Sequence, residues 1–378
     1  MPYGRIGEKM GKNCCENKDN SRLNRVGGQA VLEGVMMKAG NRTVTSCRRE
    51  DGTISVSDNT FVSIRKKHKF LNIPILRGVV NFVEMMALSF KTLNVSAEAL
   101  GIEEEDGKLE RWLKRHIGIK LTDLVMIISL ILGLGLAYVL FKFLPALAAD
   151  GVSYAFLHLF EIKISTAVLP IIEGAVKVLI FIGYLWSVSL LKDIRCTFMY
   201  HGAEHKSIAC FEAGDELTPE NAMKHRRFHP RCGTSFMFLM IGLGILLSLC
   251  IRLIFGDALN FWAYIGISLL TLPLSMGIGY EILMIAGKHD NFLTRAISAP
   301  GLWVQRITTK EPTLDMLEIA ITSIKCALRD DYPEFREFYE SRGWEKKSEA
   351  DNQENTESCE GEVHDTPKAE EAKDENDA

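Results

Sequence analysis

The sequence predicts a membrane protein, mainly α-helical, with four transmembrane helices and a cytosolic α+β portion. Three observations predict it. Much of residues 122–287 is strongly apolar, although the 378-residue chain as a whole is only 47% hydrophobic. Four stretches in that region are long enough to cross a hydrocarbon layer of about 30 Å. Basic side chains cluster on the segments that would face one compartment.

The spans are expected at 122–144, 165–191, 234–255 and 261–287. From Leu124 the first carries no charge until Lys142, and the third is equally clean from Phe236 to Leu249; buried helices of soluble proteins rarely stay uncharged so long. Between spans two and three lie Lys192, Arg195, Lys206, Lys224, Arg226, Arg227 and Arg231, and ahead of span one lie Lys108, Arg111, Lys114, Arg115 and Lys120. The loop after span one offers only Lys163, and the 256–260 loop has no basic residue. The positive-inside rule then puts both termini and the 192–233 loop in the cytosol. Glu173 and Lys177, four apart in the second span, either pair within the membrane or mark a later start of that span.

The flanks read as follows. Residues 1–25 form a polar head, without the apolar core of a secretory signal. The 345–378 tail carries 13 acidic and 4 basic side chains and almost no large apolar ones, so both ends are expected to be disordered. The tail holds −9 of a total charge of −4, leaving about +5 on the rest, which suits a cytosolic membrane surface. Residues 26–121 read as a β-rich region followed by a helix at 74–100. Asp51-Gly52 is a hairpin signal between Thr43–Cys47 and Thr53–Ser57, and glycine-bounded Gly27–Met37, with Glu33 its single acid, reads as a strand with tight turns in preference to a functional loop. In the 74–100 helix Arg77, Asn81, Glu84, Lys91 and Glu98 share a stripe, which suits an interfacial or protein-packed helix better than a fifth span. Residues 288–344 form a cytosolic segment in which Ala299–Arg306 reads as turn-rich, with Trp303 at the headgroups. Thr313 caps a helix at 314–328 whose Leu317, Ala320, Ile321, Ile324 and Leu328 share a face. The nine cysteines show no paired framework. No nucleotide-phosphate fingerprint occurs, and no nucleic-acid partner is implied.

The 192–233 loop holds the chemistry. His201, Glu204 and His205 spell H-x-x-E-H, which on a helix brings both imidazoles to one ion with the carboxylate as general base. The pattern arises by chance in on the order of one or two chains per hundred, and Gly202 weakens a helix, so its surroundings decide its weight. His229 and Cys232 add two further ligand types, and topology brings them to the same membrane face; Glu281, near the cytosolic end of span four, would reach that layer too. Three arrangements stay open: an open-sided metal centre with Glu204 moving protons, a closed four-ligand zinc staple of His201, His205, His229 and Cys232, or no metal.

The stretches Gly27–Met37, Pro74–Val80, Tyr200–Lys206, His229–Phe236, Tyr280–Ile282 and Pro300–Gln305 resemble, in order, the YqhQ-like family of bacterial membrane proteins. That resemblance implies a multi-pass protein and a suspected metal site, the family being described as predicted metal-dependent enzymes, with no established reaction. The expectation is a bacterial inner-membrane protein binding a divalent metal, zinc by donor type. It would hydrolyse a lipid-linked or membrane-protein substrate with Glu204 as base, His201, His205, His229, Cys232 and Glu281 as the ligand pool, and Lys206 and Arg231 holding an anionic group. The alternative is a non-catalytic membrane scaffold or small transporter.

Overall fold

The computed structural model describes residues 22–23, 25–101, 121–165, 167–229, 232–286 and 292–332. The expected disordered head, apart from Arg22, Leu23 and Arg25, lies outside them, as do the acidic tail and Arg231.

Four strands form an antiparallel meander: β1 (Val26–Val31), β2 (Gly34–Ala39), β3 (Arg42–Arg48) and β4 (Ile54–Thr60). The Gly27–Met37 stretch is therefore a hairpin rather than one strand, turning at Glu33 with φ 46°. The expected turn at Asp51-Gly52 joins β3 to β4, with Gly52 at φ 82°, a backbone region that glycine enters without a Cβ clash. Alternation along the strands gives the sheet two apolar faces. Val35, Met37 and Val44 point to one core, and Val31, Met36 and Cys47 to the other.

Helix α1 (Leu76–Ala99) covers the second face through Leu88, with Met85 and Ala99 beside it. The first face is covered by α5 (Lys192–Ala213), short α6 (Pro219–Lys224) and α11 (Leu314–Ala327). Thr313 caps α11 by accepting from the Met316 N–H, and the five expected face residues are all buried.

Between these elements lie α2 (Leu121–Tyr138), a π-helical turn (Val139–Phe143), α3 (Leu144–Phe160), α4 (Leu169–Val188), α7 (Gly233–Phe255), α8 (Phe261–Leu270), α9 (Leu272–Ala286) and α10 (Phe292–Thr308). Among the described residues, three segments are long and apolar enough to cross a membrane: Ile128–Phe160, Leu169–Val188 and Phe236–Phe255. The α8–α9 pair, bent by 45° at Thr271, makes a fourth if read as one broken span. Two local expectations are corrected. The chain after 144, read as a loop, continues as helix to Phe160, and Ala299–Arg306, read as turns, lies inside α10 with Pro300 in its interior. Pro300 removes one backbone donor without ending the helix there.

Apolar side chains such as Leu179, Ile254 and Leu270 face outward, while charge is gathered inside. Glu173 accepts from Lys142 Nζ at 2.7 Å and from the Tyr264 hydroxyl, with Lys177 Nζ at 3.6 Å one turn along α4. Lys142 also donates to Ser248 Oγ at 3.1 Å, so α4, α7, α8 and the π-turn meet at one carboxylate. Removing one partner of a buried ion pair leaves the other charge uncompensated. Glu173→Ala is therefore expected to cost about 3–5 kcal/mol and Glu173→Gln clearly less, read by thermal unfolding in detergent. Equal melting of both variants and wild type would contradict this role.

A candidate metal centre

Helix α5 begins immediately beyond α4 and carries Asp193 in its first turn, where an acid favours the helix dipole. It ends at Gly214, whose φ of 83° allows the Gly214 and Asp215 N–H groups to return to the Phe211 and Cys210 carbonyls. Regular helix between these ends puts His201 and His205 one turn apart, ring centroids 4.4 Å from each other.

Each imidazole is oriented from behind. His201 Nδ1 lies 2.9 Å from the Thr308 carbonyl oxygen and His205 Nδ1 2.6 Å from that of Arg227. A carbonyl only accepts, so both Nδ1 atoms carry the proton and both Nε2 atoms present lone pairs. His201 Nε2 is 3.3 Å from Cys232 Sγ, and Cys232 also hydrogen-bonds His205. Ligand atoms of His201, His205 and Cys232 lie within 4.8 Å of one another. Tetrahedral zinc would set its N and S donors about 3.5 Å apart, close to the 3.3 Å between His201 Nε2 and Cys232 Sγ. Burial, above all other causes, lowers the pKa of His205 and holds it in the neutral form that binds metal.

The supporting shell is specific. Gln305, fully buried on α10, accepts from the His229 N–H and donates to the His229 carbonyl, both at 2.8 Å. Arg227 pairs with Glu311 at 2.7 Å, fixing the residue whose carbonyl holds His205. The Lys310 N–H donates to the Phe198 carbonyl at 2.8 Å, and a Cβ on Gly202 would fall 2.0 Å from the Lys310 carbonyl oxygen. Gly202 thus admits the chain that follows Thr308. None of Gln305, Thr308, Arg227 or Glu311 was marked as functional by the sequence; only Gln305 lay in a quoted family stretch.

The remaining expected residues are dispersed. His229 sits beside the group, 5.7 Å from His205 between ring centroids, with Nε2 3.4 Å from Glu212. Glu204 turns toward the sheet, where its side chain packs on Gly28 and accepts the Ala30 N–H, so it does not face the three donors. Lys206 is buried, donating to the Met223 carbonyl and pairing with Glu311 at 3.0 Å, which leaves it no free face for a substrate anion. Glu281 is claimed by Arg77: Nε lies 2.6 Å from Oε1 and a second guanidinium contact closes the pair, tying α9 to α1. A carboxylate in an apolar helix takes the nearest cation, and α1 supplies it.

Residues 73–330, all three donors included, match the model of a protein family described as "Protein of unknown function (DUF1385)". The chain is also 34% identical over 310 residues to the "Uncharacterized protein YqhQ" of Bacillus subtilis (strain 168), covering 80% of this chain and 92% of that protein. The chain belongs to the DUF1385 family. No solved structure matches it. The DUF1385 match begins after β4, so it takes in α1, the apolar helices, the donors and α11 but not the sheet against which Glu204 packs.

Burial pushes the Glu204 carboxyl up to about 7, against smaller opposing effects of His201 and the Ala30 N–H. A folded pKa raised above the unfolded one gives stability that is complete below about pH 4.5 and lost as pH rises through about 7. Glu204→Gln should therefore flatten the stability profile between about pH 5 and pH 8 and match or exceed wild type at the upper end, by on the order of 2 kcal/mol. Melting curves that fall in parallel for both proteins would refute the assignment.

Proposed function

We propose that this DUF1385 member is an integral membrane protein that holds a divalent metal, zinc by its donor set, at His201, His205 and Cys232, and acts as a metal-dependent hydrolase on a membrane-associated substrate. One observation carries the reading: two imidazoles are fixed through Nδ1 with both Nε2 atoms aimed at a thiol, the outer-shell arrangement that metal-binding histidines require. Among the described residues the donor group is three, with His229 held by Glu212 just outside it. Three protein donors with a fourth position open is the pattern of catalytic rather than structural zinc.

A metal bound there would supply Lewis-acid polarisation and water activation at neutral pH. His229, 5.7 Å from His205 between ring centroids and held by the Glu212 carboxylate, would be the nearby group able to take up and return a proton. Glu204, held against β1, supports the helix from behind. The outward apolar surface and inward charge of the spanning helices support membrane insertion. The basic residues of 192–227 and of 108–120 support a cytosolic centre and cytosolic termini.

In purified full-length protein, His201→Ala, His205→Ala and Cys232→Ala should each lose most of the bound zinc by elemental analysis, whereas His229→Ala and Glu281→Gln should retain it. An optical spectrum of the cobalt-substituted protein that shifts on adding a small anion would match an open position. Loss of metal in His229→Ala with an anion-insensitive spectrum would instead assign a closed structural staple. The chain should also stay with the membrane fraction through alkaline carbonate washing; release into the supernatant would defeat membrane insertion.

A further inference from the structure

The segments that hold the imidazoles from behind also build a pocket on their outer side. It has a volume of about 310 Å³ and is lined by Arg226, Phe228, Leu302, Trp303 and Arg306, with no carboxylate among them. A second hollow of about 340 Å³ shares Arg226 and Phe228 with it. Arg226 and Phe228 flank Arg227, the carbonyl partner of His205, and Arg306 stands two residues before Thr308, the partner of His201.

The charges there are unequal in their partners. Lys206 and Arg227 share Glu311, but among the described residues neither Arg226 nor Arg306 has an acidic partner. Two guanidiniums on one acid-free pocket match the oxygens of a phosphate ester, which they grip through paired N–H donors. The rest of the lining is apolar and aromatic. Trp303 is 73% exposed, with the Arg306 guanidinium 5.6 Å from its ring centroid. Helix α10 packs along α7, one of the apolar candidate spans, so this exposed indole lies where a bilayer surface would meet the protein.

We infer that this pocket binds the phosphate of an anionic membrane lipid, with Arg226 and Arg306 on the phosphate and Phe228, Leu302 and Trp303 against its glycerol and upper acyl portion. Resting on the metal-centre reading above, it is also where a lipid substrate seats its headgroup. A soluble phosphate ester offers the guanidiniums the same chemistry; the apolar wall selects the lipid.

The test uses full-length protein in a phosphate-free neutral detergent and acyl-brominated phosphatidylglycerol, whose bromines quench nearby tryptophan. Trp303→Phe isolates the contribution of Trp303. Wild type should show half-maximal Trp303 quenching at about tenfold lower phosphatidylglycerol than brominated phosphatidylcholine. The Arg226→Gln/Arg306→Gln double variant should lose that preference with unchanged zinc content, and the double lysine variant should keep part of it. Equal quenching by the two lipids, or a preference that survives the double glutamine change, overturns the proposal. Displacement of the lipid by millimolar glycerol 3-phosphate assigns the pocket to a soluble ester and overturns it equally. Should the variants not fold, the two wild-type comparisons decide alone. Repeating them after metal chelation separates the two readings: a persisting preference upholds the pocket whether or not the metal centre is catalytic.

Discussion

Two hydrogen bonds from imidazole Nδ1 to backbone carbonyls, at Thr308 and Arg227, set the terms for the rest of the DUF1385 structure described here. Each carbonyl comes from a segment remote in sequence from α5, and each segment is held by its own device. Gln305 clamps the backbone at His229, the Glu311 carboxylate holds Arg227, and the Lys310 N–H docks on α5 where Gly202 leaves room. The sheet braces the opposite side of α5, where Glu204 packs on Gly28. A side chain at 202, or loss of the Gln305 clamp, would move a carbonyl and with it an imidazole, although neither residue is a donor.

A second constraint governs the apolar region, where every charge needs a partner. Glu173 gathers Lys142, Lys177 and Tyr264, while Arg77 takes Glu281. From Glu173 to the end of α4 at Val188, and from Gly233 to Ser248 on α7, the helices rise about 22 Å. The carboxylate network and the three-donor group therefore lie toward opposite ends of α7, one tying the apolar helices together and the other joining the start of α7 to α5.

Features governed by local periodicity were legible in the sequence. The Asp51-Gly52 turn, the 74–100 helix, the Thr313 cap and the face of α11 need only turn chemistry and 3.6-residue spacing. The pairing of His201 with His205 followed for the same reason, and Cys232 joined them through topology. What depended on tertiary neighbours was hidden. Glu204 adjoins His205 in sequence but points about 100° away around the helix, and only the position of β1 shows what it meets. Glu281 was offered as a possible ligand without sight of its partner, because nothing in its own helix reveals Arg77. Pro300-Gly301 carries turn chemistry, yet packing along α7 keeps it helical.

The central claim is that the three donors converge on one ion and leave a position open. X-ray absorption at the zinc edge of full-length protein measures this directly. The account predicts two imidazole nitrogens at about 2.0 Å, one sulfur at about 2.3 Å and one light solvent atom. A shell with no sulfur, or with three imidazoles and one sulfur, would contradict it.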